Sequence, residues 1–411
     1  MLRTGAVFRS KPDGSKMETY SLGYRNPYRD LAYDDKFNWF HADNDNEDGS
    51  KFMGCRIMHV AGGSDSGWRL RSAPRCCRPD APRVSVGGEV PGKMPPMIKT
   101  GRGSPAGLLL YHDTRLPEQY RGIQYYPDVF RKVIRAYKTE PDGASFKITG
   151  EFEFMKSEDP LFRPCQMVTG PDGAMYVVDW RTDSGGAGKL SGNGVNGRIY
   201  RIKWTGTNDQ PAIPLRAMDS WAKLTALPDD QLVDALNAPD LTDRVEARKE
   251  LVRRGAKSRD LVLGKVMSGR MTPQGILPAL GLLQSFWNSD VEDLFRLLVK
   301  NDSPDVRRTV IEGLASNAKP KDTKVHDVLV KAINDPSPAV RRAAALAIGK
   351  VGAPGAADVL LLARKNDTTK DVWLRDSYVR GLERLGKPGI DALVALAATG
   401  DKGFAQAVDA F

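Results

Sequence analysis

The densest set of hard oxygen ligands in the chain is Asp43-Asn44-Asp45-Asn46-Glu47-Asp48-Gly49. Alternating Asp and Asn on a tight loop can give a hard cation the several oxygens it takes at about 2.3–2.6 Å. Asn44-x-Asn46-x-Asp48-Gly49 matches the opening of an EF-hand loop, but its twelfth position is Cys55 where that loop needs Glu. An EF-hand is therefore excluded. Two readings of Asp43, Asp45, Asn46 and Asp48 stay open: a calcium site, or a solvated acidic turn.

A second set is cationic. Arg25-Asn26 follow Gly23, and Arg163 precedes the turn Pro171-Asp172-Gly173. Convergent cationic groups at strand ends could hold an anionic cofactor, and ordinary hydrogen bonding between sheets is the other reading. The remaining reactive residues exclude more than they suggest. His41, His59, His112 and His326 show no metal-ligand spacing. Cys55, Cys76, Cys77 and Cys165 form no Cys-x-x-Cys, so neither a zinc ribbon nor a c-type haem motif is encoded. Gly192-x-Gly194-x-x-Gly197 has dinucleotide-fingerprint spacing, yet a strand follows it where a helix N-terminus is required. Gly188-Lys189 lacks the first Gly and the Ser/Thr of a P-loop.

These side chains need a scaffold, and the chain offers two. Residues 1–205 read as short strands between turns: Pro141-Asp142-Gly143 and Pro171-Asp172-Gly173 are turn chemistry, and Met175-Tyr176-Val177-Val178 is strand chemistry. An apolar pair beside an arginine recurs at Phe8, Ile57, Ile134 and Tyr200. That irregular recurrence predicts about three blades of a six-bladed-type β-propeller, its outer strands marked by the motif. So few blades do not close a ring, so the expected segment is the C-terminal part of a larger propeller.

Residues 206–217, with Pro211 and Pro214, read as a linker. Beyond them Ser303-Pro304-Asp305-Val306-Arg307-Arg308 recurs as Ser337-Pro338-Ala339-Val340-Arg341-Arg342. Each has a Ser N-cap with Pro at the first helical position. Thr242, Thr272 and Asp371 fall at similar intervals, and Asp401 would open a last repeat cut by the chain end. Residues 218–411 are thus expected to form a HEAT-like helical solenoid, truncated in its last repeat. The fold expected is a β + α multidomain chain.

The charge is +10, from 61 Lys+Arg against 51 Asp+Glu, and no basic block concentrates it. It reads as a solvated surface and not a nucleic-acid footprint. No apolar run is long enough to span a membrane, and Met1–Ser10 carries no apolar signal-peptide core.

Several stretches together resemble soluble quinoprotein sugar dehydrogenases. They are Gly23-Tyr24-Arg25-Asn26-Pro27-Tyr28, the acidic loop 43–49, Gly62-Gly63 to Gly67-Trp68, Ser104-Pro105-Ala106-Gly107-Leu108, Phe162-Arg163-Pro164 and Gly170 to Tyr176. The order also resembles the planctomycete-type (PVC) membrane-bound dehydrogenase-domain proteins, which join such a propeller to HEAT-like repeats and usually a cytochrome c domain. The resemblance implies an exported, periplasmic parent oxidising a sugar or alcohol with pyrroloquinoline quinone (PQQ) and Ca2+, with a cytochrome c-type electron acceptor. It gives Arg25, Asn26 and Arg163 to the cofactor and the loop Asp43–Asp48 to calcium. A family lysine is expected near residue 130; Phe130 stands there, with Arg131 and Lys132 beside it.

The family's general-base histidine lies well upstream of the Arg-Asn pair, and this chain has no histidine before His41. No catalytic residue is expected in the chain, which is read as a fragment inactive by itself. The alternative is a non-catalytic propeller and HEAT module that binds glycans or proteins.

Overall fold

The computed structural model describes residues 5–11, 13–27, 31–44, 55–68, 93–181 and 197–398. Asp45, Asn46, Asp48, Cys76, Cys77, the glycine-rich stretch 188–194 and the Asp401 cap lie outside them. The chain divides into two compact units: Met1–Glu89, Pro95–Glu140 and Phe146–Ala247, and Val90–Met94, Pro141–Ser145 and Arg248–Phe411.

The first unit holds four antiparallel sheets in chain order. β1 (Gly5–Arg9) pairs with β2 (Glu18–Tyr24). β3 (Ala32–Tyr33), β4 (Trp39–Asp43), β5 (Cys55–Val60) and β6 (Ile98–Gly101) form a four-stranded meander. β7 (Leu109–Tyr111), β8 (Ile123–Asp128), β9 (Val133–Asp142) and β10 (Ser145–Lys156) form another. β11 (Pro164–Thr169), β12 (Met175–Asp179) and β13 (Arg198–Ile202) form a three-stranded one. The arginine-flanked apolar motif therefore marks the third strands β5, β9 and β13, and two sheets carry a further strand outside it. β5 is buried along its whole length and β9 along its first half, whereas β13 is an exposed edge strand; the occurrence at Phe8 falls in β1 of the two-stranded sheet.

Successive sheets share their cores. Alternation along β4 sends Phe40 and Ala42 to one face, where they meet Leu108, Leu110, Tyr126 and Tyr137 of the next sheet. Trp39 packs on the opposite side, against Tyr24, Met58 and Val60. β8 splits likewise: Tyr126 faces the first of these cores, while Ile123 and Tyr125 face Met167, Met175 and Val177. The period of two is what lets one strand serve two cores.

Residues 206–217 contain neither helix nor strand, yet Arg216 N donates to Asp172 O at 3.0 Å. α1 (Ser220–Thr225), α2 (Asp229–Asp234) and the first turns of α3 (Leu241–Arg254) belong to the sheet unit.

The second unit continues with α4 (Ala256–Met267), α5 (Ile276–Ser285), α6 (Ser289–Leu298), α7 (Pro304–Asn317) and α8 (Thr323–Ala332). It ends with α9 (Pro338–Val351), α10 (Ala356–Asn366), α11 (Val372–Arg384) and α12 (Lys387–Ala397). α7 packs on α9, and α9 on α11. At the second contact a Cβ on Gly349 would overlap Gly381 O, so only glycine permits this approach of two backbones. An ion pair repeats the stacking: Arg307 Nε and Nη2 donate to the two carboxylate oxygens of Asp335 at 2.7 and 2.8 Å.

The expected helix starts hold at Pro304, Pro338 and Val372, but the serine caps work differently. Neither Ser303 nor Ser337 caps its helix with a side-chain hydrogen bond. Each is positioned through its own N–H, which donates to Asn301 Oδ1 at 3.0 Å or Asp335 Oδ1 at 2.8 Å. Carboxylate and amide acceptors cap elsewhere: Asn288, Asp322 and Asp371 accept N–H bonds at α6, α8 and α11. Thr242 lies inside α3, and Thr272 precedes α5 by four residues. No helix among the described residues is long and apolar enough to cross a membrane.

Candidate functional site

Proline supplies the local logic of the site. Each of the three larger sheets is entered through an X-Pro step: Asn26-Pro27, Ser104-Pro105 and Arg163-Pro164. Proline has no N–H and holds the preceding residue extended. The N–H of that residue is the last donor before the proline, and it needs an acceptor. In every case the acceptor is the aspartate that ends the sheet's second strand. Asn26 N donates to Asp43 Oδ1 at 3.0 Å, Ser104 N to Asp128 Oδ1 at 2.9 Å, and Arg163 N to Asp179 Oδ1 at 2.8 Å. All three carboxylates are buried.

Asp43 is the most constrained of them. Its Oδ2 accepts from Arg25 N at 2.9 Å and from Arg56 Nη2 at 2.8 Å. Arg56 is fully buried and also donates Nη1 to Ser66 O at 2.6 Å. A buried charge pair with its hydrogen bonds completed is a rigid anchor. Arg25 is thereby presented as a half-buried guanidinium 5.9 Å from the Trp68 ring centroid, with Nη1 donating to Asn44 O at 2.8 Å. The nearby Tyr24 phenol is pushed up to about 12 by burial and stays neutral.

Asn44 bridges to the next sheet. Its Oδ1 faces Cys55 Sγ at 3.7 Å, and its Nδ2 donates to Ser104 Oγ at 3.3 Å. A Cβ on Gly103 would overlap Asp128 Oδ2, so glycine is required for the carboxylate to reach Ser104 N. Arg131 and Lys132 sit in the β8–β9 turn, where Arg131 N and Phe130 N donate to Asp128 Oδ1 at 3.0 and 3.1 Å. The Arg131 side chain turns back, Nε donating to Arg102 O. Arg102 lies over the Phe130 ring at 5.0 Å.

Arg25, Asn26 and the Arg131–Lys132 turn thus share one polar network through Asp43, Asn44, Ser104 and Asp128. Arg163 holds the matching position of the third sheet, with Nη1 donating to Pro160 O and Phe162 O, each at 2.8 Å. Asp43 is tied to Arg56, a pairing that leaves it poorly suited to a cation. Asp45, Asn46 and Asp48 are outside the described residues, among which no group of His, Cys, Asp or Glu is placed to hold a metal. Asp43 was picked out from sequence as a cation ligand and not as a main-chain anchor, and no site role was read for Ser104, Asp128 or Asp179. Their signal was there as X-Pro before a first strand and Asp closing the second.

The first unit has a second polar cluster near the ends of β7 and β11. Asp113 accepts from Thr242 N at 3.0 Å, and Asp240 accepts from Thr114 N at 2.6 Å, a reciprocal exchange. Arg216 spans both, with Nη1 donating to Asp240 and Asp243 at 2.6 and 2.7 Å and Nη2 to Asp113 at 3.1 Å. Burial, against the pull of Arg216, pushes the Asp243 carboxyl up to about 6.

Residues 3–183 match a family described as a domain of unknown function (DUF7133), and residues 291–373 match HEAT repeats. No curated protein matches the chain. Similar solved structures include an oxidoreductase (glucose dehydrogenase) of Thermus thermophilus, at 22% identity and a TM-score of 0.32, covering 46% of this chain and 48% of that one. The soluble aldose sugar dehydrogenase of Escherichia coli is similar at 21% identity and a TM-score of 0.29, covering 43% and 46%. A designed armadillo repeat protein is similar at 16% identity and a TM-score of 0.26, covering 45% and 100%. The chain spans about half the length of the dehydrogenases it matches.

Proposed function

We propose that the chain is part of a quinoprotein sugar or alcohol dehydrogenase of the planctomycete type, exported to the periplasm, with PQQ held at the X-Pro ends of its sheets. The observation that carries the reading is the Asp43 anchor, which fixes the backbone of the Arg25-Asn26 pair while leaving both side chains at the sheet end. The donor chemistry fits the group. The aspartates are occupied with backbone N–H groups, so the end presents Arg25, Asn26, Ser104, Arg131 and Arg163, which suit a flat polycarboxylate. Bound PQQ supplies the two-electron acceptor for an alcohol carbon. This chain's residues would bind and orient it: Arg25 and Arg163 through charge, Asn26 through its amide, and Arg131 and Lys132 from the β8–β9 turn.

Calcium is proposed at Asp45, Asn46 and Asp48, with Asp43 serving as the anchor at the root of that loop. The electron acceptor would be a cytochrome c-type partner, and the helical repeats offer a protein-binding surface.

The test is a titration of the full chain with PQQ, following quenching of tryptophan fluorescence, with and without Ca2+. Saturable binding, tightened by Ca2+ and weakened about ten-fold or more by Arg25→Ala, is expected, with no reduction of dye by aldoses. Loss of the Ca2+ effect in Asp45→Ala/Asp48→Ala would place the ion. Absence of PQQ binding together with measurable polysaccharide binding would replace this reading by a glycan-binding module.

A further inference from the structure

We infer that Ser104 is a ligand-binding residue of this site, donating its hydroxyl proton to an anionic oxygen, a carboxylate, of the bound molecule. The inference rests on the reading of the sheet ends as a polycarboxylate site, and it deepens that reading.

Position is the first ground. Asn26, Ser104 and Arg163 occupy one structural position in three successive sheets, each before a proline and each with its N–H on the aspartate that closes the second strand. The middle sheet therefore contributes Ser104 where its neighbours contribute Asn26 and Arg163.

Proton direction is the second ground. A hydroxyl carries one donor and two acceptor sites. Asn44 Nδ2 faces Ser104 Oγ at 3.3 Å, while Cys55 Sγ lies 3.4 Å from Gly103 O and 3.7 Å from Asn44 Oδ1. Ser104 accepts there, which directs its proton elsewhere. Asn44 is buried and Ser104 only half-buried, so the open side of the hydroxyl is the side away from Asn44. Arg25 touches the same asparagine, with Nη1 on Asn44 O at 2.8 Å. A carboxylate reached by the Arg25 guanidinium is thus near the only proton Ser104 has to give.

The experiment compares the full chain with Ser104→Ala, Ser104→Thr and Ser104→Cys in PQQ titrations at fixed Ca2+, with thermal midpoints measured alongside. One hydrogen bond to a charged group predicts about ten-fold or greater weakening in the alanine variant. Threonine, which keeps the hydroxyl, should bind within about two-fold of the parent, and cysteine, a weaker donor, in between. Equal affinities for the parent and alanine variants would overturn the role of Ser104 and leave the cofactor site standing. No saturable binding by the parent chain would overturn both.

Discussion

Replacing Arg56 by Met tests the anchor beneath the proposed site. Arg56 is completely buried and makes two short bonds, Nη2 to Asp43 at 2.8 Å and Nη1 to Ser66 O at 2.6 Å. Methionine fills much of the volume but leaves Asp43 as a buried carboxylate held by the Arg25 and Asn26 N–H groups, with His41 Nε2 3.9 Å away and no permanent cation. Removing one member of a buried pair costs about 3–5 kcal/mol, chiefly through the charge left behind. Asp43→Asn should cost a similar amount, because it strands the buried Arg56 guanidinium in turn, even though the amide oxygen still accepts one N–H. In Asp43→Asn/Arg56→Met the stranded charge is gone, so the double variant should recover about 2 kcal/mol relative to the sum of the singles. The assay is urea denaturation with hydrogen-exchange mass spectrometry on peptides covering β4 and β5, which reads the sheet locally. A loss below about 1 kcal/mol in Arg56→Met, or additive singles, would show that the pair does not anchor the Arg25-Asn26 step.

Two further outcomes follow from the described geometry. The Asp243 carboxyl is raised to about 6 in the fold from an ordinary value near 4, so the folded chain binds the proton more tightly. Its contribution is fully present below pH ~4 and is lost as pH rises through about 6, an effect of order 2–3 kcal/mol; Asp243→Asn should flatten that part of the stability–pH profile, and an unchanged slope would refute the assignment. At the helix starts, Asp322→Ala removes a side-chain acceptor for Val325 N and should cost about 1 kcal/mol, whereas Ser337→Ala should change stability by only a few tenths; equal losses by thermal unfolding would contradict the cap geometry.

What could be read from sequence follows the range of the interactions. Ser-Pro at residues 303 and 337 marks helix starts because proline acts on its own φ and on its immediate neighbour. The motif at Ile57, Ile134 and Tyr200 finds strands because β-branched and aromatic residues favour extended backbone, whether the strand is buried, as at β5, or exposed, as at β13. The serine caps were misread for the same locality: the acceptor for each turn sits two residues upstream, at Asn301 or Asp335, and competes with the hydroxyl's role. Arg25, Asn26 and Arg163 stand out by their places beside Gly23 and before the turn at Pro171, and the resemblance adds only the role of each toward the cofactor. Ser104 escaped because its partners Asn44 and Asp128 lie 60 and 24 residues away, a pairing that only the folded sheets create. Asp113 and Asp240 were invisible for the same reason, being joined across more than a hundred residues.

The aspartate hold on each X-Pro step has an evolutionary corollary. It grips the main chain alone, so the hold itself does not depend on which side chain precedes the proline: Asn, Ser and Arg occupy the three places. Each place is then a socket whose occupant can be exchanged without loosening that hold, at the cost of whatever bonds its own side chain makes. Ligand preference in such a protein could drift one substitution at a time, in three nearly independent steps, while the aspartates and prolines stayed fixed.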